Sequence, residues 1–270
     1  MILINGACAN TIPVMDRAVM YGDGVFRTMR MRQGLVKCWP QQYQKLRADC
    51  TALDIVCPAQ PVLEQDLQQL ARDEPDCVIK IIVSRGEGGR GYVVPLAVSP
   101  TRMLLTAPEP QYPLEFWQAG VKLHLCVFRL SHQPRLAGIK HLNRLENVLA
   151  RMEWDDASIA EGLLLDTAGW VVEGTMANIF MRVGQKLVTP DLSHCGVAGL
   201  QRDRVIKHAP RLGLTAEISR FTLAMLLQAE EIFVCNSVIG VWPVRQIGAF
   251  NIPSGKIAAD VHHFLESEID

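Results

Sequence analysis

The chain has 270 residues, 49% of them apolar and 20% charged, which suits one large domain or two smaller ones and leaves no disordered tract. A formal net charge of -1 gives no reason to expect nucleic acid or an anionic membrane surface as a partner. Eight cysteines without a C-x-x-C pair suggest neither a metal site nor a disulfide scaffold, and no apolar run nears membrane-spanning length, so a reduced cytoplasmic protein is expected.

Met1-Ile-Leu-Ile-Asn-Gly6 has no basic region and turns after four apolar residues, so it reads as a first strand and hairpin rather than a signal peptide. Asp16 to Thr28 is a glycine-punctuated loop entering a strand through Met31. After a turn at Gln33-Gly34, a strand is expected over Leu35 to Trp39. Helices follow over 41–53 and 61–72, the second with Pro61 in its first turn. Cys77 to Ser84 is rich in β-branched residues and predicts a central strand. Arg85 to Tyr92 holds too much glycine for regular structure, and 102–107 resumes as a strand. Pro108-Glu-Pro-Gln-Tyr-Pro113 is the clearest linker signal. It divides the chain into an N-terminal α+β domain over 1–110, a linker over 111–120 and a C-terminal domain over 121–270.

In the second half a strand over 121–128 and a loop over 131–139 lead to a helix expected to open at Lys140. Leu142, Leu145, Leu149 and Met152 recur at helical spacing, with Val148 widening the stripe. That pattern predicts a helix anchored by its apolar face, with Lys140 at its head. Strands are expected over 161–166, 170–173, 177–183, 187–189, 232–235 and 241–247, and helices over 199–212, 222–228 and from Ile257. Strands and helices mix in both halves without strict alternation, which favours an α+β fold of two domains with mixed, largely antiparallel sheets and packed helices.

Only eight lysines compete for chemistry, against nineteen arginines. Lys37, Lys122, Lys186, Lys207 and Lys256 lie in turns or beside polar neighbours and are most simply solvated. Lys80, inside an apolar strand, is the rival to Lys140, which follows the small-residue approach Ala137-Gly138. A lysine kept from bulk water serves as a nucleophile once its pKa is lowered. Gly196-Val-Ala-Gly199-Leu-Gln-Arg202 precedes a helix whose first N–H groups would point toward an anion, and Cys235-Asn-Ser-Val-Ile-Gly240 offers a hydroxyl and further amides, though either segment taken alone is more often an ordinary loop. Glu173 ends an apolar strand, where a carboxylate wants a cationic partner. Arg85 and Arg90, in their glycine loop, are candidates for closing on a substrate carboxylate. Such parts suit a pyridoxal phosphate enzyme, though composition and spacing alone do not single one out.

Asp16-Arg-Ala-Val-Met-Tyr-Gly-Asp-Gly-Val-Phe26, Ala137-Gly-Ile-Lys140, Glu173-Gly-Thr-Met-Ala-Asn178 and Gly199-Leu-Gln-Arg202 resemble the motifs of the fold-type IV pyridoxal phosphate enzymes. That group holds branched-chain and D-amino acid aminotransferases and aminodeoxychorismate lyases, and the likeness runs from the first strand past residue 245. Ser84-Arg-Gly-Glu-Gly-Gly-Arg-Gly-Tyr92 and Leu136-Ala-Gly-Ile-Lys-His-Leu-Asn-Arg-Leu-Glu146 are most similar to the lyases of the group. The resemblance implies a D-amino acid aminotransferase-like fold, with pyridoxal 5'-phosphate carried on Lys140 as an imine and Glu173 facing its pyridine nitrogen. It implies phosphate contacts from Leu200, Gln201, Ser237 and Val238. It also puts Lys45 where the family usually has a phosphate-binding arginine; a lysine supplies the charge without the fork. Thr28 falls on the substrate-facing strand beside the cofactor, Arg90 is the first choice for the substrate carboxylate, and Tyr92 and Arg30 come after it. Asn143 and Thr28 are candidates for the ring hydroxyl. The reaction implied is conversion of 4-amino-4-deoxychorismate, a small anionic substrate, to 4-aminobenzoate and pyruvate, a step toward folate, by a homodimer with its site between the two domains. Transamination by a D-amino acid or branched-chain enzyme of the same fold is the alternative. The branched-chain enzymes typically carry tyrosine five positions after the lysine, where this chain has Leu145.

Overall fold

The computed structural model describes residues 1–267; the last three residues of the expected C-terminal domain lie outside the described residues. Among the described residues the chain divides into two compact units: Met1–Pro110 with Ile139–Asn143, and Gln111–Gly138 with residues 144–267.

The first unit runs β1 (Ile2–Ile4), β2 (Ala7–Cys8), α1 (Arg17–Tyr21), β3 (Gly24–Arg32), β4 (Leu35–Val36), α2 (Trp39–Ala52), α3 (Gln60–Asp73), β5 (Cys77–Ser84) and β6 (Thr101–Ala107). Its sheet has the order β2-β1-β6-β5-β3-β4 and is antiparallel at every pairing. Alternation along β3 sends Val25, Arg27, Met29 and Met31 to the buried face. There Val25, Met29 and Met31 meet Leu46 of α2 and Leu63, Leu67 and Leu70 of α3. Phe26, Thr28 and Arg30 share the opposite face. Two local readings change. Part of the expected 16–28 loop is the helix α1, capped by the Asp16 carboxylate, which accepts from Ala18 N at 2.8 Å. The strand expected over 35–39 stops at Val36, because Cys38 turns left-handed and α2 begins at Trp39 with proline in its first turn.

The second unit runs α4 (Glu115–Gln118), β7 (Val121–Leu130), α5 (Leu145–Arg151), β8 (Ile159–Asp166), β9 (Val171–Gly174), β10 (Asn178–Val183), β11 (Lys186–Pro190), α6 (Leu200–His208), β12 (Thr215–Ser219), α7 (Leu223–Leu226), β13 (Glu231–Asn236), β14 (Gly240–Ile247), β15 (Phe250–Asn251) and α8 (Ile257–Ser267). A nine-stranded sheet follows the order β12-β11-β10-β13-β14-β7-β8-β9, with β15 on β14. It is mixed: β11–β12, β14–β7 and β7–β8 are parallel. β10 and β13 read as unbroken apolar runs because both their faces are covered. Ile179 and Ile232 face a core built on Trp242, while Phe180 and Phe233 face Val205 of α6 and Val261 and Leu265 of α8. The 111–120 segment carries α4, and its Tyr112, Phe116 and Trp117 ring Trp242 at centroid distances of 4.8, 5.2 and 6.0 Å.

Around the lysine the structure corrects the expectation. No helix opens at Lys140; residues 139–143 carry no regular element beyond a single bridge at His141, and α5 starts only at Leu145. Nor does the apolar stripe anchor that helix: Leu145, Val148, Leu149 and Met152 are 68, 52, 43 and 72% exposed, and only Ala150 of α5 is buried. β12 is a further strand that the residue pattern did not announce.

Candidate active site

Lys140 is held by its backbone. Its carbonyl accepts from Phe26 N at 2.9 Å, and Leu142 N donates to the Gly24 carbonyl at 2.9 Å, so the segment meets the start of β3 in a single antiparallel bridge of His141 to Val25. Gly24 makes this approach possible, since a Cβ there would stand 2.7 Å from Leu142 Cδ1 and 2.6 Å from the Val83 carbonyl. Ile139 is buried in the core of the first unit. On the other side the Lys140 N–H meets the carboxylate of Asp49, which also takes Arg27 Nη1 at 3.4 Å. Burial pushes the Asp49 carboxyl above its ordinary value against the pull of Arg27, the Lys140 N–H and Lys45. With its main chain pinned, Lys140 places Nζ 4.4 Å from the centroid of the Phe26 ring. Thr28 follows on the same face of β3, and Lys80, its cross-strand partner, stands 4.8 Å from the same ring. Lys80 itself is exposed rather than half-buried.

A second constellation belongs to the other unit. Glu173, 4% exposed near the end of β9, accepts from Val197 N at 2.8 Å and from Asn178 Nδ2 at 3.5 Å. Asn178 in turn donates to the Val197 carbonyl at 2.8 Å and accepts from Gly199 N at 3.1 Å. One amide thus ties the carboxylate to the loop entering α6. Gly196 has φ +86°, where an L side chain is strained, and a Cβ there would lie 2.7 Å from Val172 Cγ1. Gly199 caps α6 without a side-chain bond, so the N–H groups of Leu200 and Gln201 have no acceptor within the helix. Both residues are buried. Asn178 also faces Cys235 across β10–β13, which brings the Asn236–Val238 segment alongside. There the Val238 N–H donates to Asn236 Oδ1 at 2.8 Å.

The remaining sequence candidates separate. Lys45 is half-buried on α2, one helical turn before Asp49. Arg85 is not a mobile anion clamp: it is buried, its guanidinium pairs with Asp23 at 2.8 Å, and it donates to the carbonyls of Asp54 and Leu53 at 2.7 Å each. Arg90 and Tyr92 are exposed, and Arg17 donates beneath them to the Gly91 and Tyr92 carbonyls at 3.4 and 3.5 Å. Arg30 lies 3.8 Å from Glu109. Asn143 donates to the Gly22 carbonyl at 3.1 Å, closing the turn before β3. Sequence reasoning gave no role to Arg27 or Asp49, the pair behind the lysine. A buried arginine inside the strand pattern was the available signal. It passed Asn178 over as well, although that residue lies within the quoted motif.

Within the second unit, the start of α6 and the buried Glu173 carboxylate pair an anion-favouring helix end with an acceptor for a ring N–H, and within the first unit Lys140 offers an amine. Comparison with known proteins points the same way. Residues 24–247 match the family model described as amino-transferase class IV. An aminodeoxychorismate lyase of Vibrio harveyi is 37% identical over 262 residues, covering 95% of this chain and 96% of that protein. A putative branched-chain-amino-acid aminotransferase of Methanocaldococcus jannaschii is 31% identical over 240 residues, covering 87 and 82%. The crystal structure of 4-amino-4-deoxychorismate lyase from Pseudomonas aeruginosa superposes with a TM-score of 0.95 at 41% identity, covering all of both chains.

Proposed function

The chain belongs to the class IV aminotransferase family, and from that premise we propose that it is a pyridoxal phosphate-dependent lyase converting 4-amino-4-deoxychorismate to 4-aminobenzoate and pyruvate. The observation that carries this reading is the full-length likeness to two lyases, each at higher identity than the aminotransferase reported with them. When bound, the cofactor supplies an aldehyde for the substrate amine and a ring that draws electrons from the carbon bearing it.

The residues take the following parts. Lys140 would hold the cofactor through its amine, and the same Nζ would serve as the base for the proton on the amine-bearing carbon of the substrate. Loss of the C–O bond to the enolpyruvyl group then leaves an aromatic ring. Glu173 keeps the pyridine nitrogen protonated, and its position is supported by the Val197 and Asn178 donors. The amides of Leu200 and Gln201, the Ser237 hydroxyl, the Val238 amide and the Lys45 charge serve the phosphate. Val238 shares its N–H with Asn236, and Lys45 acts as a point charge. Thr28, on the same face of β3 as Phe26, is assigned to the substrate side, Arg90 takes a substrate carboxylate, and Tyr92 and Arg30 line the approach. Asn143 and Thr28 are the groups assigned to the ring hydroxyl.

We infer a homodimer from the exposed α5 stripe, which a monomer leaves in water. A cytoplasmic setting and a place in folate synthesis complete the reading. The eight cysteines are free thiols, which suits a reducing compartment, and among the described residues no helix is long and apolar enough to cross a membrane.

Pyruvate release from 4-amino-4-deoxychorismate, run in parallel with D-alanine plus 2-oxoglutarate, tests the reaction. Turnover of the amino acid pair alone would make the protein an aminotransferase. A visible cofactor band that survives Lys140→Ala would remove the lysine from its role.

A further inference from the structure

Glu161 has no part in the chemistry above, yet it is the most completely buried carboxylate of the second unit. It sits third in β8, followed by Gly162 and the buried Leu163, Leu164 and Leu165, where a charge is costly. Every polar contact it makes is with a donor. Oε1 accepts from Gly162 N at 2.8 Å, from Thr175 N at 2.9 Å and from the Thr175 hydroxyl, and Oε2 accepts from Met176 N at 3.2 Å. Thr175 and Met176 follow directly on Glu173-Gly174. Gly174 lies against the carboxylate, since a Cβ there would be 2.9 Å from Glu161 Cδ. The carbonyls of the same turn are held from the other side. Asn147 Nδ2 donates to the Thr175 carbonyl at 2.9 Å, and Asn236 Nδ2 donates to the Met176 carbonyl at 3.1 Å. Asn236 Oδ1 then accepts from Val238 N at 2.8 Å and Ile239 N at 2.9 Å.

One continuous set of hydrogen bonds therefore runs from Glu161 through the 175–176 turn to the Ser237–Val238 segment. We propose that Glu161 is a positioning residue: its carboxylate fixes the turn after Glu173 and, through Asn236, sets the spacing between Glu173 and the phosphate-side amides. An ionised carboxylate suits this task because its two oxygens accept from several donors at once, whereas a glutamine turns one of them into a competing donor. Burial pushes the Glu161 carboxyl up, and the Thr175, Gly162 and Met176 donors work against that shift. The cost of an ion here is met by ordering a loop, which a leucine in the same strand cannot do.

The proposal rests on the cofactor reading of Glu173 and Ser237–Val238. Its test compares the full-length wild type with Glu161→Gln and Thr175→Val in three measurements. They are the dissociation constant for pyridoxal phosphate, the pH midpoint of the visible cofactor band and the thermal midpoint of the protein. Loss of buried charge-assisted bonds predicts a dissociation constant raised about tenfold or more in Glu161→Gln and about threefold in Thr175→Val. The band midpoint moves with it, because the carboxylate at the ring nitrogen has shifted. A purely structural role would lower the thermal midpoint and leave the dissociation constant and band midpoint where they were, and that result overturns the proposal. Should Glu161→Gln fail to fold, Thr175→Val decides on the same two readouts. A wild type that gives no visible band at all defeats the cofactor reading itself, which is a different outcome from variants that bind like wild type.

Discussion

Lys140 and Phe26 are joined twice: the Phe26 N–H donates to the Lys140 carbonyl at 2.9 Å, and the Lys140 ammonium stands 4.4 Å from the centroid of the Phe26 ring. The main-chain bond fixes where the lysine starts and the ring marks where it ends. A long, rotamer-rich side chain is thereby confined at both ends.

The two links separate in a Phe26→Leu variant. The backbone bond survives and the ring is lost, so cofactor attachment at Lys140 persists while the amine samples more positions. A cation–π contact of about 0.5–2 kcal/mol corresponds to a fall in kcat of roughly 2- to 30-fold. Steady-state pyruvate release together with the visible band checks this; an unchanged kcat would show that the ring does not position the amine.

How this segment escaped the sequence pattern is instructive. Leu142, Leu145, Leu149 and Met152 do recur at helical spacing, but Leu142 packs on Gly24, more than a hundred residues away, and no helix forms before Leu145. Local periodicity cannot register such a partner, nor can it tell a stripe facing the core from one facing outward. β10, β13 and β14 were legible because each carries a largely buried apolar run, 179–181, 232–235 and 241–244. β12 was not, since Thr-Ala-Glu-Ile-Ser is half polar and gains its order by parallel pairing with β11. Lys140, Glu173 and the Gly199 loop stood out by residue type, whereas Asp49 and Glu161 act through bonds to distant backbone and left no local mark.

Gly199 offers a clean test of the α6 entrance. Its φ is -67°, which any residue adopts, but a Cβ would lie 2.4 Å from Asn178 Oδ1. Gly199→Ala should therefore displace Asn178 without straining the backbone, disturbing the carboxylate of Glu173 and the helix start together. Weaker pyridoxal phosphate binding by about tenfold is expected, on the scale of one or two lost buried hydrogen bonds. Equilibrium titration of the visible band measures it, and binding equal to wild type would detach Asn178 from the cofactor site.

Asp23 governs acid stability in the first unit. Burial raises its carboxyl, but hydrogen bonds and charge from Arg85 and Arg17 outweigh that and leave it below the ordinary value of 3.8. A lowered folded-state pKa means that the stabilisation is present above 3.8 and is lost as pH falls through the folded value. Asp23→Asn strands two buried guanidinium groups and should cost about 3 kcal/mol near pH 7. The gap in thermal midpoint between wild type and variant then narrows below the 3.8 reference. A gap that stays constant from neutral pH into strong acid would show that the carboxylate is not the source.

The exposed stripe of α5 bears on assembly. Leu145 and Met152 are 68 and 72% exposed, and Val127, on the neighbouring strand β7, is 80% exposed. Scattered apolar residues on a surface need no explanation, but five on one helix and the strand beside it form a patch of the kind that water disfavours. A second copy of the chain is the occupant proposed, and a helix presenting leucine, valine and methionine provides the apolar centre that such an interface needs. Introducing charge at its middle is the sharpest perturbation: Val148→Glu leaves the interior untouched, because that side chain is half in water already. Light scattering after size exclusion should give twice the chain mass of 30.0 kDa for wild type and the single-chain mass for the variant, whose melting midpoint should be lower and, unlike that of wild type, independent of protein concentration. A wild type that elutes as a monomer at micromolar concentration, or a Val148→Glu variant still fully dimeric, would assign the stripe to some other contact.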